Sequence, residues 1–149
     1  MKKIEKISAG ANYEAVSVGK YDDLSEHILV FGPGVEIPGK VFIGEALGSR
    51  GIEASFQLMP PGMSVPFLHT HDQNEELYVV IKGSGEFQVD EKKFAVNEGS
   101  AVKVSPNGRR SWRNTGTEPL IMLILQYREG SLTQLASVDG AIIEGDVNW

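Results

Sequence analysis

Short β-like segments separated by turn residues run along most of this chain. Ile52–Leu58 alternates strictly, with four apolar side chains on one face and Glu53, Ser55 and Gln57 on the other, which is typical of a strand. Further segments of similar length are predicted as strands at Glu76–Lys82, Gly85–Asp90, Lys93–Val96 and Ala101–Val104.

The segment Leu120–Tyr127 is different because it is almost continuously apolar. Such a strand needs cover on both of its faces. The pattern leaves two sources for this cover open: a second sheet together with the N-terminal segment, or a partner subunit.

Helical periodicity is weak throughout, and the 17 glycines among 149 residues punctuate the apolar segments. The sequence therefore predicts an all-β fold of about eight to eleven short strands, closed into a barrel or a two-sheet roll. The length favours one domain over residues 1–149, with N-terminal strands and loops in 1–50, a barrel core in 51–128 and a C-terminal tail in 129–149.

Charge and composition exclude several classes of function. The net charge is −6, so nucleic acid and anionic membranes are not expected partners. A local exception is the acid-free stretch Ser100–Thr117, which contains Lys103, Arg109, Arg110 and Arg113. These basic side chains form either a solvated strand or turn, or an anion-binding group beside the candidate site. Without cysteine, disulfides and thiolate chemistry are excluded. The N-terminal residues have no apolar run that would indicate a secretory signal, and we expect a cytoplasmic protein.

Candidate chemistry is concentrated between residues 62 and 83. His69 and His71 are two positions apart, so both imidazoles point the same way from an extended chain. After a polar turn at residues 72–74, Glu76 returns on the next strand, although alternation leaves Glu75 as an alternative. Two imidazoles and one carboxylate around one point form a transition-metal site with open positions.

The spacing of these residues resembles the first motif of the cupin superfamily. That motif is matched here by Gly62, His69, His71, Glu76 and Gly83, and the resemblance favours Glu76 over Glu75. A weaker second motif is similar at Gly99, Pro106–Gly108 and Asn114. The histidine that normally supplies a fourth ligand is absent from it. Counting back from Asn114 puts Arg110 in its place, and counting forward from Gly108 puts Ser111 there.

The resemblance implies a cupin-type jelly roll, or double-stranded β-helix barrel, that holds one divalent ion: Fe, Mn, Ni, Co or Zn. Three outcomes stay open: a three-ligand metal site, a weak and often empty one, or a site in which Arg110 replaces the ion's charge. If Glu76 faces inward, strand alternation predicts a ligand pocket beside the ion. Its predicted substrate-binding residues are Phe67, Tyr78, Arg110 and Trp112.

The function that follows is a small metalloenzyme acting on a small polar metabolite, either isomerase- or epimerase-like or dioxygenase-like. Whether the chain is an enzyme stays open, because the missing ligand also favours a non-catalytic small-molecule binding or sensing protein. Arg110 favours an anionic ligand. The doubly apolar segment Leu120–Leu125 and the N-terminal strands favour a homodimer.

Overall fold

The alternating segments become the strands of two facing sheets in the computed structural model, which describes residues 2–134 and 136–149. This part of the chain contains twelve strands, one 3-10 helix at Tyr21–Glu26 and one short α-helix, α1, at Ala136–Asp139. The strands are β1 (Glu5–Gly10), β2 (Tyr13–Ser17), β3 (Ile28–Val30), β4 (Glu36–Pro38), β5 (Lys40–Phe42), β6 (Glu53–Met59), β7 (Asn74–Lys82), β8 (Ser84–Val89), β9 (Lys92–Asn97), β10 (Ala101–Val104), β11 (Arg110–Asn114) and β12 (Leu120–Arg128). The number exceeds the predicted range by one because β3, β4 and β5 have three residues each, too few for a visible alternation.

The larger sheet has the strand order β10-β7-β12-β6-β5, and the smaller one has the order β11-β8-β9. All of the pairings are antiparallel. The main hydrophobic core is shared by both sheets: it consists of Met59, Tyr78, Val80, Phe87, Val96, Val104, Trp112, Leu120, Met122 and Ile124. The prediction of an all-β fold in which two sheets enclose the core is confirmed.

A second core lies on the outer face of the larger sheet. Ile121, Leu58 and Val41 of the sheet are buried there against Val18 and Leu24, which come from the N-terminal part of the chain. Burial of one such aliphatic side chain contributes about 1.5–3 kcal/mol to folding. The N-terminal segment therefore covers the outer face of β12 around Ile121, and the smaller sheet covers its inner face.

The polar face of β6 points into the molecule. Ser55 and Gln57 are buried, whereas Phe56 and Leu58 face the N-terminal segment on the outside. Ser55 donates to the β12 backbone and also accepts a hydrogen bond from the Lys40 ammonium, 2.9 Å away. A polar row thus crosses the inner face of the larger sheet, near the end where Glu76 lies.

Two further features bear on partners. The strands β1 and β2 form a separate two-stranded sheet whose side chains are largely exposed, including Ile7 and Tyr13. In residues 2–134 and 136–149, no helix has the length and apolar character that crossing a membrane requires.

Candidate functional site

The two histidines lie on an extended segment that runs beside β11. His69 exchanges backbone hydrogen bonds with Arg110, at 3.1 Å from His69 N to Arg110 O and 3.0 Å in the other direction. The amide of His71 donates to the carbonyl of Pro106, 3.0 Å away. The imidazoles are thus held by the loop and strand of the second sequence motif, and each keeps about a quarter of its side chain exposed.

Glu76 reaches the histidines from β7, on the opposite sheet. Its Oε2 atom lies 3.1 Å from Nε2 of His71 and 3.8 Å from Nε2 of His69. The carboxylate is buried. Glu75, on the other face of the strand, forms an ion pair with Lys103 instead. The structure therefore brings together His69, His71 and Glu76, and it leaves Glu75 outside.

Arg110 is fully buried and points inward at the position of the absent histidine. Its Nε and Nη2 atoms donate to Glu76 Oε2 at 3.1 and 2.9 Å. Its Nη1 atom donates to the backbone carbonyls of Gly108 and Pro106 at 2.8 and 3.3 Å. Ser111 points away and donates to the carbonyl of Val65. Of the two candidates for the fourth position, Arg110 is the one that faces the centre.

Two more side chains complete the surroundings of the carboxylate. The Tyr78 hydroxyl donates to Glu76 Oε2 in a short hydrogen bond. Gln126 of β12 donates to Oε1 from 2.9 Å. Because Gln126 lies directly opposite Glu76 in the sheet, its position in the register brings the two side chains together. Both oxygens of Glu76 are therefore hydrogen-bonded within the protein.

These contacts control the protonation of Glu76 and Tyr78. Burial favours the neutral form of the Glu76 carboxyl, but four neighbouring side chains outweigh burial and lower its pKa to about 2. These neighbours are, in order of effect, His69, Tyr78, Arg110 and His71. Burial, followed by the negative charge of Glu76, raises the pKa of the Tyr78 hydroxyl far above its ordinary value. Glu76 is consequently ionised, and Tyr78 is a proton donor rather than a base.

Aromatic rings line one side of the centre. The ring of Trp112 lies 5.8 Å from His69 and 5.1 Å from Tyr78, measured between centroids. Phe67 approaches His69 edge-on at 6.1 Å, but its side chain is more than half exposed. Of the four predicted substrate-binding residues, Tyr78, Arg110 and Trp112 are thus enclosed by the fold, while Phe67 lies at the edge of the site.

The donor atoms fit a divalent transition ion. One nitrogen of each histidine and one Glu76 oxygen all lie within 4.8 Å of one another. The buried Nε2 atom of His71 has no hydrogen-bond partner among the described residues, although Glu76 Oε2 is 3.1 Å away. A cation between these atoms would satisfy both. The guanidinium of Arg110 opposes such a cation, since it places a positive charge on the same oxygen.

Sequence reasoning missed three polar residues near the centre. Gln126 interrupts the apolar run of β12, and Gln57 belongs to a strand face with no assigned direction. Lys40 lies opposite Gln57 in the sheet. Burial lowers the pKa of Lys40 to about 8, against the attraction of the Glu76 and Glu53 carboxylates. The signal that could have identified Gln126 is a polar residue within an otherwise apolar strand.

Comparisons with known proteins confirm the predicted cupin-type jelly roll. The cupin domain family model matches residues 55–125. A crystal structure of a cupin protein from Bacteroides fragilis has a TM-score of 0.68 and 30% identity, covering 76% of this chain and 96% of that one. An uncharacterised protein of Methanocaldococcus jannaschii is 30% identical over 79 residues, which are 52% of this chain and 63% of that protein. The chain thus spans less than two thirds of this curated relative's length.

Two more distant structures are similar in fold. One from Acidithiobacillus ferrooxidans, whose name assigns it provisionally as a sugar phosphate isomerase, has a TM-score of 0.58 and 25% identity, covering 68% of this chain and 66% of that one. A predicted oxalate decarboxylase from Thermotoga maritima has a TM-score of 0.59 and 22% identity, covering 75% of this chain and 99% of that one.

Proposed function

This chain is a member of the cupin superfamily, and on that premise we propose that it binds one divalent transition metal ion through His69, His71 and Glu76. The observation that supports the proposal is the convergence of the three donor atoms within 4.8 Å. The histidines come from the extended segment beside β11, and Glu76 comes from β7. Three protein ligands leave positions for a small oxygen-bearing ligand. Fe, Mn, Ni, Co and Zn are all compatible with two imidazoles and one carboxylate.

Arg110 gives the metal-loaded centre an unusual charge. Glu76 and Arg110 cancel each other, so a divalent ion leaves the centre with a net charge of about +2 when the histidines are neutral. Such a centre attracts an anion, and charge-assisted contacts favour carboxylate or phosphate oxygens. We therefore propose an anionic small molecule, such as a sugar phosphate or a carboxylic acid, as the ligand.

Isomerisation is the first candidate activity, with dioxygenation as the second. The bound ion supplies polarisation of a carbonyl group or acidification of a water molecule. Tyr78 would donate a hydrogen bond and Glu76 would hold the ion, so neither acts as the base. Support for isomerisation comes from the provisionally named sugar phosphate isomerase at 25% identity.

A binding or sensing protein is the alternative function. The observation that favours it is that Glu76 and Tyr78 are both engaged, ionised and protonated respectively, which leaves neither of them available as a base. Such a protein would hold the same anionic ligand on the ion without turnover. Substrate turnover separates the two functions.

We also propose that the protein is a homodimer. The β1–β2 hairpin is a separate, largely exposed sheet, and an isolated hairpin is only marginally stable in water. Pairing with a second copy would cover its apolar side chains, including Ile7 and Tyr13. Light scattering that gives a monomer mass would contradict this proposal.

The cytoplasmic location and the lack of nucleic-acid binding stay predictions from composition.

The experiment for the metal proposal is elemental analysis of protein purified without an affinity tag, followed by titration with each of the five ions. The parent should bind about one equivalent, and the double variant His69→Ala/His71→Ala should bind none. Glu76→Gln should weaken binding strongly, whereas the matched variant Glu75→Gln should not, because Glu75 contacts Lys103 outside the site. A double variant that keeps the parent's metal content contradicts the proposal.

Turnover is then measured on the loaded protein. Sugar phosphates test isomerisation, and oxygen uptake with Fe(II) tests dioxygenation. A sugar phosphate that raises the melting temperature of the loaded protein without being converted favours the binding function.

A further inference from the structure

Four apolar side chains on the outer face of the larger sheet form a patch of their own. Leu77 and Val79 of β7 lie directly opposite Leu125 and Leu123 of β12, so the four make two neighbouring rows. All of them stay partly exposed although β7 and β12 lie inside the five-stranded sheet. In the part of the chain that the structure describes, none of them belongs to either hydrophobic core. We call these four residues the outer-face patch.

The outer-face patch continues the surface that the second core covers. Ile121 of β12 lies on this face and is completely buried, with Val18 and Leu24 of the N-terminal segment in the same core. Leu123, two positions further along the strand, is only partly buried. The N-terminal segment therefore covers one end of the face and leaves an apolar surface at the other, which is a feature of interaction sites.

The same chain carries an element that lacks support. The β1–β2 hairpin forms a sheet of its own, and its side chains Ile7 and Tyr13 are 64% and 56% exposed. The strand β2 ends at Ser17, directly before Val18 of the second core, so the hairpin leaves the molecule at the border of the covered area. An isolated two-stranded hairpin is only marginally stable in water, so it also needs a surface to pack on.

The dimensions of the two surfaces agree. Three strand spacings separate β10 from β6, which is about 14 Å, and the six residues of β1 extend about 20 Å. One hairpin is therefore long enough to cross the outer-face patch from edge to edge. Within one copy the two surfaces stay apart, since Ile7 and Tyr13 remain exposed.

We propose that the β1–β2 hairpin of a second copy lies on the outer-face patch, and that a two-fold axis makes this contact reciprocal. The axis closes the assembly, because each copy then offers one hairpin and one patch to the other. The inference rests on the proposed homodimer, and it specifies which surfaces form the interface.

The C-terminal tail is the other segment of this chain with exposed apolar side chains, among them Ile142 and Trp149. The hairpin fits the patch better because it is already folded, so its docking orders few additional residues. The described residues of the tail contain no strand, and laying them on a sheet would first require their backbone to become ordered.

The variant Leu125→Asp tests the outer-face patch. Light scattering of the parent should give twice the mass of one chain. Leu125→Asp should raise the dissociation constant of the dimer at least about 100-fold, because two-fold symmetry buries the introduced charge twice. Val30→Asp, at an exposed position of β3, is the matched control and should associate like the parent. Thermal melting establishes that each variant is folded.

A spin label identifies what covers the patch. The chain has no cysteine, so Asn12→Cys, in the turn between β1 and β2, provides a single attachment site. The labelled protein, without ¹⁵N, is mixed with ¹⁵N-labelled parent, so only effects between copies are observed. Amide signals of the outer-face patch should lose intensity relative to the sample with reduced label. Signals of Asp90 and Glu91, in the turn between β8 and β9, should not.

The possible results separate this interface from the homodimer itself. A monomer mass for the parent would contradict both. A parent dimer whose dissociation constant is unchanged in Leu125→Asp, or intensity losses confined to other surfaces, would contradict this interface alone. Removal of residues 131–149 should leave the dimer intact. Dissociation of that shortened protein would show that the tail holds the copies together, and it would overturn the proposal.

Discussion

Arg110 donates two hydrogen bonds to Oε2 of Glu76, and this is the same oxygen that lies 3.1 Å from Nε2 of His71. A metal ion held by Glu76 and the histidines must share that oxygen with a guanidinium that cannot lose its charge. The pair therefore stabilises the metal-free centre and weakens the attraction of the centre for a cation. In the proposed metal site, affinity for the ion would therefore depend on Arg110 as well as on His69, His71 and Glu76.

Replacing Arg110 with histidine should raise metal affinity, whereas most mutations in a metal site lower it. Arg110→His removes the competing charge and adds a fourth nitrogen ligand, so we expect Zn²⁺ or Ni²⁺ to bind at least about tenfold more tightly, measured by calorimetric titration. Arg113→His is the control because Arg113 lies on the same strand but pairs with Glu86 at the surface. Unchanged or weaker binding by a folded Arg110→His protein would show that Arg110 does not limit affinity.

Acid should destabilise the metal-free protein through Glu76. Its pKa is about 2 when folded and 4.5 without the fold, so the unfolded chain takes up protons first as the pH falls. The contribution of this carboxylate is complete above pH 4.5 and is lost towards pH 2; it amounts to on the order of 3 kcal/mol. Urea unfolding between pH 2 and 5 measures it.

The slope of stability against pH in that range should be smaller in Glu76→Gln than in the parent. Glu75→Gln, which changes the neighbouring carboxylate on the other face of β7, should keep the parent's slope. Equal slopes in the parent and in Glu76→Gln would contradict the assignment.

Lys40 should make stability rise with pH in the alkaline range, as Glu76 does in the acid range. Its folded pKa of about 8 lies below the ordinary 10.5, so between these values the unfolded chain binds more protons than the folded one. The free energy of unfolding should therefore rise through this group as the pH increases from 8 to 10.5, by on the order of 3 kcal/mol. Lys40→Met should lose this rise, while Lys92→Met, at an exposed position, should retain it.

A substitution at Gly83 tests the turn that joins the two sheets, between β7 and β8. Its φ of 86° is in the left-handed region, and a Cβ atom there would collide with the backbone oxygen of Pro119. Gly83→Ala should lower the free energy of unfolding by about 2–4 kcal/mol, measured by chemical denaturation. Gly130→Ala shares the left-handed φ but has open space around it, so it should cost only about 1 kcal/mol.

The sequence predicted the position of the centre because its geometry is local. Two residues apart on an extended chain, His69 and His71 must point the same way, and one turn returns Glu76 to them. The sequence could not decide whether Arg110 or Ser111 faces the centre. Counting from Asn114 and counting from Gly108 give positions that differ by one residue. The backbone pairing of Arg110 with His69 decides between them, and it joins positions 41 residues apart.

The sequence also did not reveal which face of β6 points into the molecule. Its alternation is regular, but burial of the polar face depends on what packs on the apolar one. The N-terminal segment takes up Leu58 and Phe56, and this turns Ser55 and Gln57 inward. The inward position of these two polar side chains follows from that long-range packing, so no local pattern indicates it.

The second core has a practical consequence for any attempt to isolate the part of this molecule that carries the candidate site. The family match begins at residue 55, yet Ile121 and Leu58 are covered by Leu24 and Val41, which precede it. A recombinant fragment starting at residue 51 would present a bare apolar sheet to water, and we expect it to self-associate rather than remain dispersed.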